Sequence, residues 1–344
     1  MYQTNQRVST LAKLFTLTCA SALALVGCST DSATEPTTAD GKLSVTTSFY
    51  PLTYLVSEIG GEHVAITDLT PPGSDAHGVE LSPKEISDMQ KSDVVFYLAK
   101  LSPAIDDAVA SADVNAINIG QSVDLLPNAE TTNEHAEHAD HDEHADHDEH
   151  ADHDEHADHD EHADHDEHDH GIYDPHFWTD PERMADAAAT IASTLSEKDP
   201  EHAADYKSNA DALIAKLTDL DEKFSATLSA TCETKSFIVT HAAFGYLAHE
   251  YGLEQISIAG IDPEFEPSPA RIAEVKKLVE SEKITTIFTP TNGEEKVART
   301  LAQETGTQFG VLDVAATRDE QSGDYISIME KNLQTLAESM RCVK

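Results

Sequence analysis

The sequence predicts an α/β protein, two lobes of parallel β-sheet and helix joined by one long, rigid helix. Three observations carry this expectation. Eight short apolar runs alternate with helical segments, four on either side of a central stretch. Helix start signals recur between them. The central stretch itself, residues 200–228, carries one uninterrupted apolar stripe. Strands that alternate with helices along the chain build parallel sheets, because a parallel pair needs a crossover and a helix supplies it.

In order, the first four runs are Leu43–Thr47, Val64–Leu69, Asp93–Leu98 and Asn115–Ile119. The second four are Ser236–Thr240, Gln255–Ala259, Ile284–Thr289 and Gln308–Leu312. Ser82-Pro83-Lys84-Glu85 and Thr179-Asp180-Pro181-Glu182 resemble capping boxes with Pro in the first turn. In the central stretch Tyr206, Ala210, Leu213, Leu217, Leu220, Phe224 and Leu228 recur at spacings of three and four. Asp199 before Pro200 serves as its expected cap. Such a helix spans about 40 Å. It is either the surface helix of one domain or a spine between two lobes, and its place between the strand sets points to the spine.

Residues 1–27 read as an export signal: Arg7 and Lys13, then the apolar or small-residue run Leu14–Val26, too short to span a bilayer. Leu25-Val26-Gly27-Cys28 looks like the lipobox of bacterial lipoproteins, with cleavage before Cys28 and lipid on its thiol. Residues 28–41 form a Ser/Thr-rich tether. The expected protein is therefore an extracytoplasmic lipoprotein held to the membrane by its N-terminal lipid. Cys232 and Cys342 remain, most simply a disulfide in an oxidising compartment. Two thiolate ligands are the alternative, though Cys342 is third from the end of the chain.

The 64 acidic and 22 basic residues give a formal charge of −42. That excludes nucleic acid as a partner, since phosphate contacts need clustered Lys and Arg. Much of the charge is local. Residues 134–170 hold 18 carboxylates, 13 of the 19 histidines and no Lys or Arg.

Of the histidines outside that tract, His63, His202 and His249 read as solvated or packing residues. His77 follows the second run in a loop stiffened by Pro71 and Pro72. His176 precedes a capped helix in Asp174-Pro175-His176-Phe177-Trp178. His241 directly follows the fifth run, and Asp313 follows the eighth. Ligands in parallel α/β sheets bind beyond the carboxyl ends of the strands. Three imidazoles and one carboxylate suit zinc.

These residues carry a resemblance. Leu69–Pro83, Asp174–Pro181, His241-Ala242-Ala243-Phe244-Gly245-Tyr246-Leu247-Ala248, Glu266-Pro267-Ser268-Pro269 and Asp324-Tyr325 through Asn332 resemble the zinc and manganese solute-binding proteins of ABC importers, the ZnuA/TroA-like cluster. The likeness runs from Leu43 to Cys342 and is interrupted by the tract. It implies two βα lobes, residues 42–199 and 230–344, joined by a helix at 200–229, with the metal in the cleft between them. It also implies His77, His176 and His241 as ligands, and Asp313, a Glu or water as the fourth. Manganese-type members commonly place Glu where this chain has His241, so the imidazole favours Zn(II). The chain departs from the pattern at Asp75-Ala76, Ala242 and Pro290.

From Ala139 to His168 the unit Ala-Asp-His-Asp-Glu-His occurs five times. The loop 128–170 has no large apolar residue and cannot bury enough surface to order itself. Its histidines (His135, His138, His141, His144, His147, His150, His153, His156, His159, His162, His165, His168 and His170) are expected to bind further zinc weakly. Protons compete there, because the flanking carboxylates favour imidazolium.

The expected function is a monomeric Zn(II) receptor that delivers its ion to an ABC permease and its ATPase, and that is not an enzyme. A manganese or iron receptor is the alternative on the same scaffold. A zinc hydrolase and an adhesin or metal buffer are alternatives from other classes. The hydrolase lacks a His-Glu-x-x-His motif and a nucleophile elbow in the sequence.

Overall fold

The computed structural model describes residues 41–128, 173–261, 267–290, 295–318 and 323–343. The expected signal, Cys28, the tether up to residue 40, the whole of the histidine tract (134–170) and Glu266 lie outside these residues. Among the described residues, no helix is long and apolar enough to cross a membrane.

The first lobe contains β1 (Leu43–Thr47), α1 (Tyr50–Gly60), β2 (Val64–Asp68), α2 (Pro83–Met89), β3 (Val94–Tyr97), α3 (Pro103–Ser111) and β4 (Ala116–Asn118). Helix α4 (Pro181–Lys198) leads into the long α5 (Ala203–Leu228). The second lobe contains β5 (Ser236–Val239), α6 (Gly245–Glu250), β6 (Glu254–Ser257), α7 (Pro269–Ser281), β7 (Thr286–Thr289), α8 (Glu295–Thr305), β8 (Gln308–Val311) and α9 (Tyr325–Ser339). All eight expected strands form, each within two residues of the expected bounds.

Both sheets are parallel and share one topology: β2-β1-β3-β4 in the first and β6-β5-β7-β8 in the second. In that order the chain reverses its direction of winding between β1 and β3, and again between β5 and β7. A crevice opens at the carboxyl ends of such a pair. The central strands are apolar on both faces, as helix-covered parallel strands must be: Ser236–Val239 and Thr286–Thr289 are buried at every position.

Helix starts follow the local chemistry, with two departures from expectation. Ser82 and Glu85 form the full capping box of α2. At α4 the cap is Asp180 alone, whose carboxylate accepts from the Glu182 N–H, while Thr179 closes a preceding 3-10 turn. At α5 the expected cap Asp199 instead ends α4. Its carboxylate holds the Tyr206 hydroxyl and the His202 ring, both at 2.7 Å, so α5 begins at Ala203, three residues later than its pattern suggests.

The stripe of α5 is buried at all seven predicted positions, Tyr206 through Leu228. It belongs to one apolar cluster that runs from β1 through α4 and α5 into α6 and α9, so the two lobes share a core. Truncating a leucine in that stripe, such as Leu217, costs about 2–5 kcal/mol. Smaller clusters close the outer face of each sheet, around Val95 in the first lobe and Ile287 in the second. A Cys232–Cys342 disulfide ties the end of α5 to the chain beyond α9.

Candidate metal centre

Three loops bring histidines together at the crevice. The first leaves β2 and turns at Pro71-Pro72-Gly73-Ser74, where Ser74 N–H donates to the Pro71 carbonyl at 3.0 Å. Gly73 there has φ +80°, the left-handed conformation that this turn needs at its third residue. Gly73 N–H reaches across to the Thr317 hydroxyl of the second lobe at 2.7 Å. Asp75 then accepts the His77 N–H at 2.8 Å and sets the backbone that aims His77.

His176 comes from the loop before α4. Its ring is fully buried, and its Nδ1 lies 2.7 Å from Oδ1 of Asp174, which also accepts the His176 N–H at 2.9 Å. A carboxylate on one ring nitrogen fixes the tautomer and turns the lone pair of Nε2 outward. His241 stands at the reversal point of the second sheet. Its main chain is held by Thr240 N–H on Phe288, Ala242 N–H on Gly260 and Ala243 N–H on its own carbonyl.

The three rings face one another. One ligating atom from each of His77, His176 and His241 falls within 4.8 Å of the others. The Nε2 atoms of His77 and His176 are 3.1 Å apart. Two ligands on a tetrahedral zinc with bonds near 2.0–2.1 Å are about 3.3 Å apart. His241 Nε2 is buried and has no hydrogen-bond partner among the described residues. A buried acceptor left unpaired costs free energy, and a cation is the partner that the other two nitrogens could share with it.

Electrostatics keep two of the rings, His77 and His241, ready for a metal. Burial, then the neighbouring His176, pushes the His77 pKa down to about 3. Burial, His176 and His77 hold His241 well below the ordinary value, against a hydrogen bond to the Ile261 backbone. Neutral imidazole is the form that ligates.

Asp313 follows β8 as expected but is not in the close group. Its Oδ1 accepts the Ala315 N–H at 2.9 Å, and its backbone is clamped at both polar groups by the Asn332 side chain. His249 is exposed. His63 and His202, expected to be solvated, are part-buried and stacked, with ring centroids 3.9 Å apart. Asp205 and Asp199 pair with their outer nitrogens and make that packing favourable.

Two contributors escaped the sequence reading. Asp174 was visible as an acid two positions before His176, a spacing at which a carboxylate can take both the amide and the ring. Trp178 is fully buried and donates its indole N–H to the Val314 carbonyl at 2.8 Å, joining the His176 loop to the Asp313 loop. Nothing in the sequence marks that long-range bond.

Two parallel-sheet lobes with three converging imidazoles between them, His176 and His241 buried and His77 part-buried, define a class, the two-lobed metal-binding proteins. The chain belongs to the family of the periplasmic zinc-uptake complex component A (ZnuA), which it matches over residues 45–339. It is 33% identical over 326 residues to the zinc-binding lipoprotein AdcA of Streptococcus pneumoniae, covering 92% of this chain and 59% of that one. It is 31% identical over 307 residues to the high-affinity zinc uptake system protein ZnuA of Bacillus subtilis, covering 87% and 88%. The Zn(II)-bound ZnuA-like domain of S. pneumoniae AdcA superposes with a TM-score of 0.67 at 29% identity, covering 87% of this chain and 99% of the domain. The chain thus spans about three-fifths of the length of AdcA.

Proposed function

We propose that this protein is an extracytoplasmic receptor that binds one zinc ion tightly in its interlobe cleft and passes it to an ABC permease driven by an ATPase. The observation that carries the proposal is the convergence of three imidazoles, one of them with an orphaned Nε2, at the meeting of two lobes. The names of its relatives, zinc-binding and zinc-uptake proteins, support the same cargo. His77, His176 and His241 supply three ligands. Asp313, a glutamate or water completes the site, Asp313 after a small turn away from the Ala315 amide. No chemistry on the ion is needed: the residues bind it, exclude water from it and release it when the ligands separate. Lipidated Cys28 holds the monomer at the membrane, and the histidine tract collects further zinc with lower affinity.

Isothermal titration of the mature protein tests this. One tight zinc equivalent, lost in H176A and H241A, is expected, with manganese unable to displace it. Manganese displacing equimolar zinc would make this a manganese or iron receptor instead. Tight binding that survives both substitutions would remove the site.

A further inference from the structure

We propose that Gly245 and Tyr246, the first residues of α6 in the second lobe, are positioning residues for the ligand His176 of the first lobe and act through Asp174. The proposal rests on the reading of His77, His176 and His241 as a zinc site.

Tyr246 is fully buried, and its hydroxyl has two partners on the other lobe. It accepts the Leu126 N–H at 2.8 Å and donates to the Asp174 carbonyl at 2.6 Å. The Leu126 carbonyl in turn accepts the Asp174 N–H at 2.9 Å. Both backbone polar groups of Asp174 are therefore fixed, one of them by the opposite lobe. The Arg183 guanidinium, 5.0 Å above the Tyr246 ring, holds that ring in place.

The Asp174 carboxylate is then seated from its far side. While Oδ1 takes the amide and ring of His176, Oδ2 lies against Gly245, where a Cβ would stand 2.6 Å away. Only glycine leaves that room, and Asp174 is too buried to swing clear. The same segment carries His241 four residues earlier. A displacement of this one stretch of the second lobe therefore shifts His241 directly and His176 through its carboxylate. The arrangement gives a permease that grips the second lobe a hold on ligands from both.

Outer partners of a ligating histidine are worth about 10–100-fold in metal affinity. The test measures zinc affinity by chelator competition and the cobalt(II) absorption spectrum of the mature protein. Its variants are D174N, G245A, Y246F and H176A, with Y251F as the reference. Tyr251 directly follows the same helix and is hydrogen-bonded to Asp221 at 2.9 Å, so Y251F deletes a buried hydroxyl without touching Asp174. H176A should lose the tight ion. D174N and G245A should weaken zinc about 10–100-fold and Y246F about 3–10-fold, all three with an altered cobalt spectrum and Y251F with neither change. Y246F and G245A that keep zinc within twofold and leave the cobalt spectrum unchanged, beside an H176A that has lost it, would overturn the coupling. So would a Y251F that behaves like Y246F. An H176A that still binds tightly would instead overturn the zinc site itself. If G245A does not fold, Y246F decides alone, since it removes one oxygen from an intact ring.

Discussion

Nε2 of His77 and Nε2 of His176 face each other at 3.1 Å across 99 residues of chain. Because Asp174 takes the proton on Nδ1 of His176, its Nε2 is the acceptor and His77 the donor in the metal-free protein. On the proposed reading, zinc would replace that single proton bridge with one that also reaches His241.

Removing a ligand should therefore separate affinity from stability. His241→Leu is expected to weaken zinc by at least about a hundredfold. It should leave the stability of the metal-free protein within about 1–2 kcal/mol, because removing a buried acceptor that has no partner is offset by losing the ring's hydrogen bond to the Ile261 backbone. Chemical denaturation of both apo proteins, beside a zinc competition assay, checks the pair of effects.

The pH response of the apo protein follows from the depressed histidines. His77 titrates near 3 when folded and near 6.5 when unfolded, and His241 shifts in the same direction. The unfolded chain therefore takes up protons first. The stability these rings contribute is complete above about pH 6.5 and falls as pH drops toward 3, with a slope approaching about 1.4 kcal/mol per pH unit for each ring. Urea melts at pH 7 and pH 5 should show the loss.

The same shifts, on the proposed reading, would separate two kinds of zinc site. Imidazoles held neutral when folded meet little competition from protons, whereas the carboxylates flanking the tract histidines are expected to favour imidazolium. Titration at pH 5.5 should retain the tight equivalent and lose the weak ones. Replacing residues 129–172 by a short turn should do the same at pH 7. The cut ends already meet: Pro127 and Tyr173 form an antiparallel bridge, and Asp174 N–H donates to Leu126. Loss of the tight site on deletion would place the tract among its ligands.

The disulfide should matter for stability and not for zinc. It closes a separation of 110 residues, worth about 4–5 kcal/mol in the chain-entropy account. Reduction, or Cys232→Ser with Cys342→Ser, should lower the melting temperature by roughly 10 °C. Zinc stoichiometry below the transition should stay the same.

Movement between lobes should be small. They share one apolar cluster and are cross-linked by Trp178 to Val314, Gly73 to Thr317 and Tyr325 to the Trp178 carbonyl. Zinc-free and zinc-bound forms should differ by a tilt of a few degrees in solution scattering or crystal structures. A rotation of tens of degrees would break these bonds and contradict the shared core.

Much of the fold was legible because its signals are local. Apolar runs such as Phe237-Ile238-Val239 are buried on both faces and need no partner to be recognised. The stripe of α5 has a period that only a helix satisfies. The three histidines that converge were legible by position, each lying in a loop that a strand or a capped helix locates. What stayed hidden depends on distance in the chain. Asp199 has the composition of a cap, but Tyr206 and His202 claim its carboxylate first. His63 and His202 look like surface residues until the fold stacks them. Trp178 on Val314 and Tyr246 on Asp174 join residues 136 and 72 apart, and no window of sequence contains both ends.

The meeting of Leu126 and Asp174 under the Tyr246 hydroxyl also bears on how the sequence between them can evolve. Entry and exit share one doorway, so copies of a six-residue unit can be duplicated or deleted without altering the span that must be bridged. Each copy brings two more imidazoles. The number of histidines can thus change while the two lobes beneath keep their shape.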